Sequence, residues 1–245
     1  LDYLKAELLL EKHGIVRSIV VFGSTRIPEP ATARRRLAEA EAALARDPGN
    51  ADLTHRRAIA ERIVAKSRYY EIARDLGRLV GEAEGPEGNR LVVVTGGGPG
   101  IMEAANRGAW DTGARSVGLN ITLPHEQFPN PYITPDLCFQ FHYFAMRKLH
   151  FVMRARALVV FPGGYGTMDE LFETLTLIQT RKIAPVPVVL VGEAYWRRVF
   201  DLDFLIEEGT IEPEDRDLFW FAETAQEIWD DIQHWYRLAG RPLTA

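Results

Sequence analysis

Three glycines within four residues mark the segment best suited to bind an anion. Residues 161–170 read Phe-Pro-Gly-Gly-Tyr-Gly-Thr-Met-Asp-Glu and directly follow an apolar, β-branched run. Glycine lets the backbone approach a ligand closely, and a helix starting after such a loop presents unpaired N–H groups and about half a positive charge. The segment therefore predicts a phosphate-binding turn from a strand into a helix, with the carboxylate of Glu170 nearby.

The same residues also allow a structural interpretation. Thr167 and Glu170 have the Thr-x-x-Glu spacing of a capping box, in which both side chains accept hydrogen bonds from amides at a helix start. A capping box does not require the preceding glycines, and the two roles are compatible. Both interpretations stay open from the sequence.

A second glycine loop follows an earlier apolar run. Residues 95–101 read Thr-Gly-Gly-Gly-Pro-Gly-Ile and lead into a helical pattern, which again presents backbone N–H groups. The dinucleotide fingerprint fails because its last glycine would fall at Ile101 and the next strand ends at Asn120 rather than at an acid. A P-loop is excluded because no Gly-Lys-Ser/Thr follows. We expect an anion site that does not use NAD.

The pair Arg147-Lys148 lies near the beginning of a helical pattern that runs to Ala155. The helix dipole disfavours cations at that end unless an anion is nearby, which is a mild indication of a ligand. The alternative is a solvated basic face that continues to Arg154 and Arg156.

Short apolar runs alternate with helical patterns along the chain, which predicts parallel strands joined by crossover helices. The predicted strands are Ser18–Phe22, Leu91–Thr95, Ser116–Ile121, Ala157–Phe161 and Val186–Val191, with an edge strand at Leu218–Phe221. The fold class is α/β, a Rossmann-like, doubly wound and mostly parallel sheet with helices on both faces. Ligands bind such sheets at the carboxyl ends of the strands.

We predict one domain over residues 1–245, with an inserted helical hairpin at about 31–82 that breaks at Asp47–Asn50. Ile59, Ile63, Tyr70, Ala73 and Leu76 are at helical spacing and are expected to cover the sheet, with dimer packing as the alternative. The proline-containing stretch Thr122–Asp136 is predicted to be a loop beside the third strand. An amphipathic helix is predicted at the N-terminus, and further helices at Ala194–Glu207 and Thr224–Leu238.

Composition excludes several classes of function. The net charge of −5 argues against a nucleic-acid surface, and no apolar run is long enough to span a bilayer. Cys138 is the only cysteine, so no intrachain disulfide forms, which fits a cytoplasmic protein. The six histidines have no paired metal spacing, and Lys182 and its neighbours show no recognisable pyridoxal-phosphate site. We therefore expect neither a metal nor another cofactor.

Taken together, these motifs resemble the LONELY GUY family of phosphoribohydrolases, often labelled lysine decarboxylases. The matching pieces are Phe22-Gly23-Ser24, the glycines 96–98, Arg147-Lys148 and the motif at 162–170, in family order and over most of the chain outside the insertion. The last motif is highly specific, whereas each of the others alone is weak. The insertion at 31–82 resembles the longer bacterial relatives.

The resemblance implies roles for individual residues. Arg147 and Glu170 would form the catalytic pair, with the pKa of Glu170 held low by Arg147 and the helix start. The residues implied to bind substrate or its phosphate are Gly163, Gly164, Tyr165, Gly166, Thr167, Lys148, Glu126, Ser24, Gly97 and Thr176.

The implied reaction is hydrolysis of the N-glycosidic bond of a nucleoside 5′-monophosphate, AMP or an N6-substituted AMP such as a cytokinin riboside monophosphate. The family also implies a homodimer, consistent with the apolar helix that carries Met146, Leu149, Phe151 and Met153. The alternatives are a noncatalytic nucleotide or cofactor carrier of the same fold, such as a molybdenum-cofactor carrier, and an interaction module that uses Trp220, Trp229, Trp235 and Tyr236.

Overall fold

A seven-stranded, all-parallel sheet forms the centre of the computed structural model, which describes residues 2–83, 91–122 and 128–244. The strands are β1 (Arg17–Phe22), β2 (Leu91–Thr95), β3 (Ser116–Ile121), β4 (Cys138–Phe141), β5 (Ala155–Val160), β6 (Val188–Val191) and β7 (Trp220–Ala222). Their order in the sheet is β4-β3-β2-β1-β5-β6-β7, and each neighbouring pair is parallel. The predicted Rossmann-like class is confirmed.

The described helices lie on both faces of this sheet. They are α1 (Asp2–Lys12), α2 (Pro30–Arg46), α3 (Ala51–Lys66), α4 (Arg68–Glu82), α5 (Ile101–Asp111), α6 (Phe144–Met153), α7 (Tyr165–Gln179), α8 (Glu193–Val199), α9 (Leu202–Glu207) and α10 (Ala225–Leu238). Short 3-10 helices lie at Pro135–Leu137 and Pro213–Leu218. None of the helices in these described segments is long and apolar enough to cross a bilayer.

The strands are apolar on both faces because both faces are covered. In β1, Ile19 and Val21 pack into one core with α4, α5 and α10, whereas Val20 and Phe22 pack into the other core with α1, α6 and α7. Trp229 and Tyr236 are buried in the first core, and Trp220 and Trp235 pack against it. These four aromatic side chains therefore belong to the interior and do not form the exposed contact surface of an interaction module.

The direction in which the sheet grows reverses at its centre. From β1 the chain adds β2, β3 and β4 on one side, then returns to place β5, β6 and β7 on the other. A crevice forms outside the carboxyl ends of the strands at such a reversal. β1 is adjacent to both β2 and β5, the strands that lead into the two glycine loops, so both loops lie at this crevice.

The region 31–82 contains three helices rather than two. Asn50 caps α3 by accepting hydrogen bonds from the amides of Asp52 and Leu53, so the turn predicted at Asp47–Asn50 is present. Helices α2 and α3 pack on each other, while α4 packs on α5. The expectation that Ile59 covers the sheet is wrong, because Ile59 lies on α3, which has no buried residue, and is 45% exposed. Division of the chain into one domain with an insertion stays a prediction.

Two further elements differ from the sequence-based expectation. Strand β4 is absent from the predicted strands and follows the predicted loop Thr122–Asp136, and its four residues alternate between exposed and buried. The helix expected at 194–207 is divided into α8 and α9, because Asp201 caps a new helix by accepting a hydrogen bond from the amide of Phe204. Of the predicted loop Thr122–Asp136, residues 123–127 lie outside the described part of the chain.

Candidate active site

Ser24 lies between the two glycine loops and joins them through its backbone. Its amide donates to the carbonyl oxygen of Pro162 at 3.0 Å, and its own carbonyl oxygen accepts a hydrogen bond from the amide of Ile101 at 3.2 Å. Because Ser24 follows β1, the segments after β1, β2 and β5 converge as the parallel sheet predicts. The predicted pocket residue Ser24 therefore lies where both loops meet.

Arg147 and Glu170 form a buried ion pair beside this junction. Nη2 of Arg147 lies 3.0 Å from Oε1 of Glu170, and only 11% and 5% of the two side chains are exposed. The guanidinium lies over the rings of Phe144 and Phe151, at 5.2 and 5.5 Å from their centroids. Nη1 lies 3.8 Å from the position that a Cβ on Gly96 would occupy. Arg147 therefore contacts the first loop and the helix of the second, and its alternative role on a solvated face is excluded.

One nitrogen of Arg147 is left without a partner. Nε is buried and has no hydrogen-bond acceptor within the described segments. A buried donor without an acceptor is costly, and in native structures it commonly faces a ligand, a water or an ion. The guanidinium can therefore donate a further hydrogen bond to an oxygen atom of a bound molecule.

The expectation of a low pKa for Glu170 is wrong. Burial raises the pKa of Glu170 to about 7, although the charges of Arg147 and Lys148 act to lower it. Burial likewise lowers the pKa of Arg147, against the attraction of Glu170. Removal from water therefore outweighs the attraction within the pair, and both forms of the carboxyl group are populated near neutral pH.

The capping box that the spacing of Thr167 and Glu170 allows is absent. Helix α7 begins at Tyr165 with Gly164 as its N-cap, so both residues lie within the helix. The amides of Thr167 and Met168 donate to the carbonyl oxygen of Gly164 at 3.0 and 3.1 Å. The glycines allow the helix to begin earlier than the capping motif predicts, and this leaves Glu170 free to pair with Arg147.

The start of α7 is open on the side of the second glycine loop. The amides of Gly164, Tyr165 and Gly166 have no acceptor among the residues that the structure describes. Apart from chain neighbours and the backbone of α7 itself, no atom of the described residues lies within 4 Å of the Cβ positions of Gly164 and Gly166, and Tyr165 is 93% exposed. These amides and the positive end of α7 form a suitable site for a phosphate group.

Two of the predicted binding residues have other contacts. Lys148 lies 2.8 Å from Asp169 and 2.7 Å from Glu173, so its ammonium is paired with two carboxylates of α7. Thr176 is exposed, and its hydroxyl donates to the carbonyl oxygen of Phe172. The structure does not bring Thr176 to the ion pair. Glu126 lies outside the described residues.

Gly97 is required by its backbone conformation and by a close neighbour. Its φ angle is +75°, and a Cβ at this position would collide with the side-chain amide of Asn120 at the end of β3. Any other residue would be strained there. Gly97 therefore maintains the close approach of the first loop to β3.

A buried polar cluster that sequence reasoning missed holds the first loop. Asn130 donates from its side-chain amide to Oδ1 of Asn106 at 2.9 Å and to the carbonyl oxygens of Gly97 and Gly98 at 3.2 Å each. The hydroxyl of Thr95 donates to the same Oδ1 and accepts from the amide of Gly97. The sequence feature that could have indicated this cluster is the presence of polar residues, such as Thr95 and Asn106, inside otherwise apolar patterns.

The described residues contain no group of three or more histidine, cysteine, aspartate or glutamate side chains placed to hold a metal ion. His142 contacts Asp2, and His150 is buried with one ring nitrogen 3.2 Å from the carbonyl oxygen of Tyr3. His142, just before α6, and His150, within α6, therefore connect this helix to α1.

The sheet, its central crevice and the converging loops define a Rossmann-like α/β protein with a candidate site for a ligand that has a negatively charged group. The family model described as "Possible lysine decarboxylase" matches residues 102–232. The cytokinin riboside 5′-monophosphate phosphoribohydrolase LOG3 of Arabidopsis thaliana is 30% identical over 168 residues, which cover 66% of this chain and 74% of that protein. The chain belongs to this family, the LONELY GUY family.

Other comparisons agree with this assignment. The cytokinin riboside 5′-monophosphate phosphoribohydrolase LOG of Oryza sativa subsp. japonica is 28% identical over 166 residues, which cover 66% of this chain and 65% of that protein. The X-ray structure of TM1055 has a TM-score of 0.52 at 20% identity and covers 89% of this chain and 99% of its own. The structural likeness supports the fold.

Proposed function

We propose that this protein hydrolyses the N-glycosidic bond of a nucleoside 5′-monophosphate, AMP or an N6-substituted AMP, to free base and ribose 5-phosphate. The observation that carries the proposal is the buried Arg147–Glu170 pair beside an open helix start with free amides. The names of the relatives supply the reaction class. A phosphate at α7 would leave the sugar close to the pair.

Arg147 and the start of α7 would hold the phosphate and orient the ribose. The amides of Gly164, Tyr165 and Gly166 would donate to phosphate oxygens, and Nε of Arg147 would gain the acceptor that it lacks. Arg147 does not act as a proton donor because its guanidinium stays charged. Binding energy from the phosphate would be used to position C1′.

Glu170 would act on the sugar. When the C1′–N bond breaks, positive charge develops on the sugar ring, and an adjacent carboxylate stabilises it. Water then adds its oxygen to C1′; Glu170 accepts a proton from this water, the departing base takes up a proton from the solvent, and Glu170 afterwards returns its proton to the solvent. A pKa of about 7 suits this task, since the carboxyl group can accept and return a proton near neutral pH.

Substrate must rearrange the pair to reach the carboxylate, because only 5% of the Glu170 side chain is exposed. Arg147 lies against Glu170, so a shift of the guanidinium towards the phosphate would open this contact. Phosphate binding and access to Glu170 would thereby be linked through one residue.

The description of the family model names a different reaction, lysine decarboxylation. A lysine that forms a Schiff base needs a depressed pKa. Burial lowers the pKa of Lys148, but its hydrogen bonds to Asp169 and Glu173, together with the negative charges of Glu170 and Glu173, outweigh that effect, so the pKa is raised. Lys148 is therefore not an activated amine. Lys182 is exposed beyond the end of α7.

The test is chromatography of reactions with a panel of nucleoside monophosphates, with a metal chelator present. We expect free base and ribose 5-phosphate from AMP or an N6-substituted AMP, and far slower turnover of the matching nucleoside at saturation, because the phosphate orients the sugar. Binding of these nucleotides without release of base from any of them would favour a carrier instead.

We also propose that the protein forms a homodimer, with its sites near the interface. Leu4 and Leu8 on α1 are 52% and 54% exposed, and Leu149 and Met153 on the adjoining α6 are 43% and 45% exposed. A second copy would cover these side chains by twofold pairing, the commonest closed arrangement. Because α6 also carries Arg147, the interface would lie beside the site. Light scattering at working concentration measures the mass of the particle, and an active monomer would contradict the proposal.

A further inference from the structure

Tyr195 makes a short hydrogen bond to the second glycine loop from outside the catalytic pair. Its hydroxyl donates to the carbonyl oxygen of Gly163 at 2.6 Å. The ring lies in the first turn of α8 and packs edge-on against Trp196, at 5.3 Å between centroids, and Trp196 is fully buried. The phenol is therefore held in place by the core.

The Gly163–Gly164 peptide has few other contacts that fix its orientation. Neither residue has a side chain; the side chain of Thr167 packs against Gly163, whereas no atom of the described residues, chain neighbours apart, lies within 4 Å of the Cβ position of Gly164. Among the residues that the structure describes, only Tyr195 donates a hydrogen bond to the carbonyl oxygen of Gly163. A peptide between two glycines meets less steric resistance to rotation than one between residues with side chains.

The direction of this carbonyl determines the direction of an amide at the open end of α7. In a planar trans peptide the C=O and N–H bonds point in opposite directions. The peptide that carries the carbonyl of Gly163 also carries the amide of Gly164, which has no acceptor among the described residues. Fixing the carbonyl towards Tyr195 therefore aims the amide of Gly164 away from α8.

We infer that Tyr195 is a positioning residue for phosphate recognition: its hydroxyl fixes the Gly163–Gly164 peptide so that the amide of Gly164 faces the phosphate of a bound nucleotide. This inference rests on the proposed function for the identity of the anion. The hydrogen bond also polarises the peptide, which makes its N–H a stronger donor. Burial raises the pKa of the Tyr195 phenol, so the hydroxyl remains a donor throughout the neutral range.

The test compares Tyr195→Phe with a matched control, Tyr236→Phe. Tyr236 lies on α10, and its hydroxyl donates to the carbonyl oxygen of Arg156 at 2.8 Å, near the amino end of β5. Both changes remove a tyrosine hydroxyl from a backbone carbonyl, but the control is at the opposite end of the strand from the glycine loop. Circular dichroism and thermal unfolding establish that each variant is folded.

For each protein, calorimetry gives the dissociation constants of AMP and of inorganic phosphate, and base release gives KM and kcat. We expect Tyr195→Phe to raise both dissociation constants and KM by about fivefold, which is the effect of losing one hydrogen bond. The value of kcat at saturation should change by less than about twofold. The control should match wild type in all of these values.

The outcomes separate this inference from the proposed reaction. Wild-type protein that binds AMP and N6-substituted AMP but releases base from neither overturns the reaction, while the dissociation constants still decide the role of Tyr195. Unchanged binding by Tyr195→Phe, or equal weakening by Tyr236→Phe, overturns the inference alone. If wild type binds neither AMP nor phosphate, both proposals fail. Should Tyr195→Phe not fold, NMR of the Gly164 amide in wild type decides: the inference requires a shift on adding phosphate, and no shift refutes it.

Discussion

Replacement of Glu170 by Gln should stabilise the protein at alkaline pH and abolish most of its activity. Burial raises the pKa of Glu170 from its ordinary value of 4.5 to about 7. Between these values the folded chain keeps a proton that the unfolded chain has released. Because the folded state then binds more protons, the free energy of unfolding falls as pH rises through this window. Gln resembles the protonated acid and carries no such pH dependence.

The size of the effect follows from the displacement of the pKa. A change from 4.5 to about 7 corresponds to about 3 kcal/mol at pH 8, where the carboxylate is ionised in both states. At pH 5 most of this cost has not yet developed, and the effect is about 1 kcal/mol. The stability of Glu170→Gln relative to wild type should therefore improve by about 2 kcal/mol between pH 5 and pH 8. Any packing cost of Gln is common to both pH values and cancels.

Urea unfolding of both proteins at the two pH values measures this change, and base release from saturating AMP at pH 8 measures turnover. We expect turnover to fall about a hundredfold or more, since the anion that faces the developing positive charge is lost. Glu173→Gln makes the same change on the same helix, at a carboxylate that pairs with Lys148, and should keep its turnover. If Glu170→Gln loses the same stability at both pH values, Arg147 holds the carboxylate ionised and the reasoning from burial is refuted.

Two further changes test the surroundings of the pair. Arg147→Lys keeps the charge but loses the planar group that lies over Phe144 and Phe151 and can bind two oxygens at once. We expect kcat/KM for AMP to fall at least about tenfold. Wild-type values in the base-release assay would exclude a role for the guanidinium geometry. Leu149→Glu places a charge on the exposed side of α6 and should convert the proposed dimer to monomer, measured by light scattering; an unchanged mass would place the interface elsewhere.

The positions of the two glycine loops could be predicted because they depend on local sequence. Each loop follows an apolar run, and parallel strands end at one edge of a sheet, so their convergence follows from the fold class. The start of α7 was not predictable in the same way. Thr167 and Glu170 satisfy the spacing of a capping box, but Gly164 takes the N-cap and the helix begins at Tyr165. The role of Glu170 is instead set by a contact with α6, 23 residues earlier in the chain.

Burial is the property that the sequence hides most effectively. The proximity of Arg147 predicts a low pKa for Glu170, and the sign of the real effect depends on how much water the neighbouring helices exclude. Likewise, Lys148 precedes two acids of α7 by 21 and 25 positions, and only the packing of α6 on α7 brings them together. Strand β4 was missed because an alternation over four residues is too short to distinguish from a loop.

The energetics of the ion pair argue that it is retained for function. A buried pair whose loss of hydration exceeds its attraction can usually be replaced by apolar side chains without loss of stability. Here the raised pKa of Glu170 and the unpartnered Nε of Arg147 indicate that the pair is incompletely satisfied in the free protein. A phosphate would supply an acceptor to Arg147, and a sugar with developing positive charge would favour the ionised form of Glu170. A nucleoside without phosphate would supply the sugar but no acceptor for Arg147. Its binding would therefore leave Arg147 paired with Glu170 and keep the carboxylate covered.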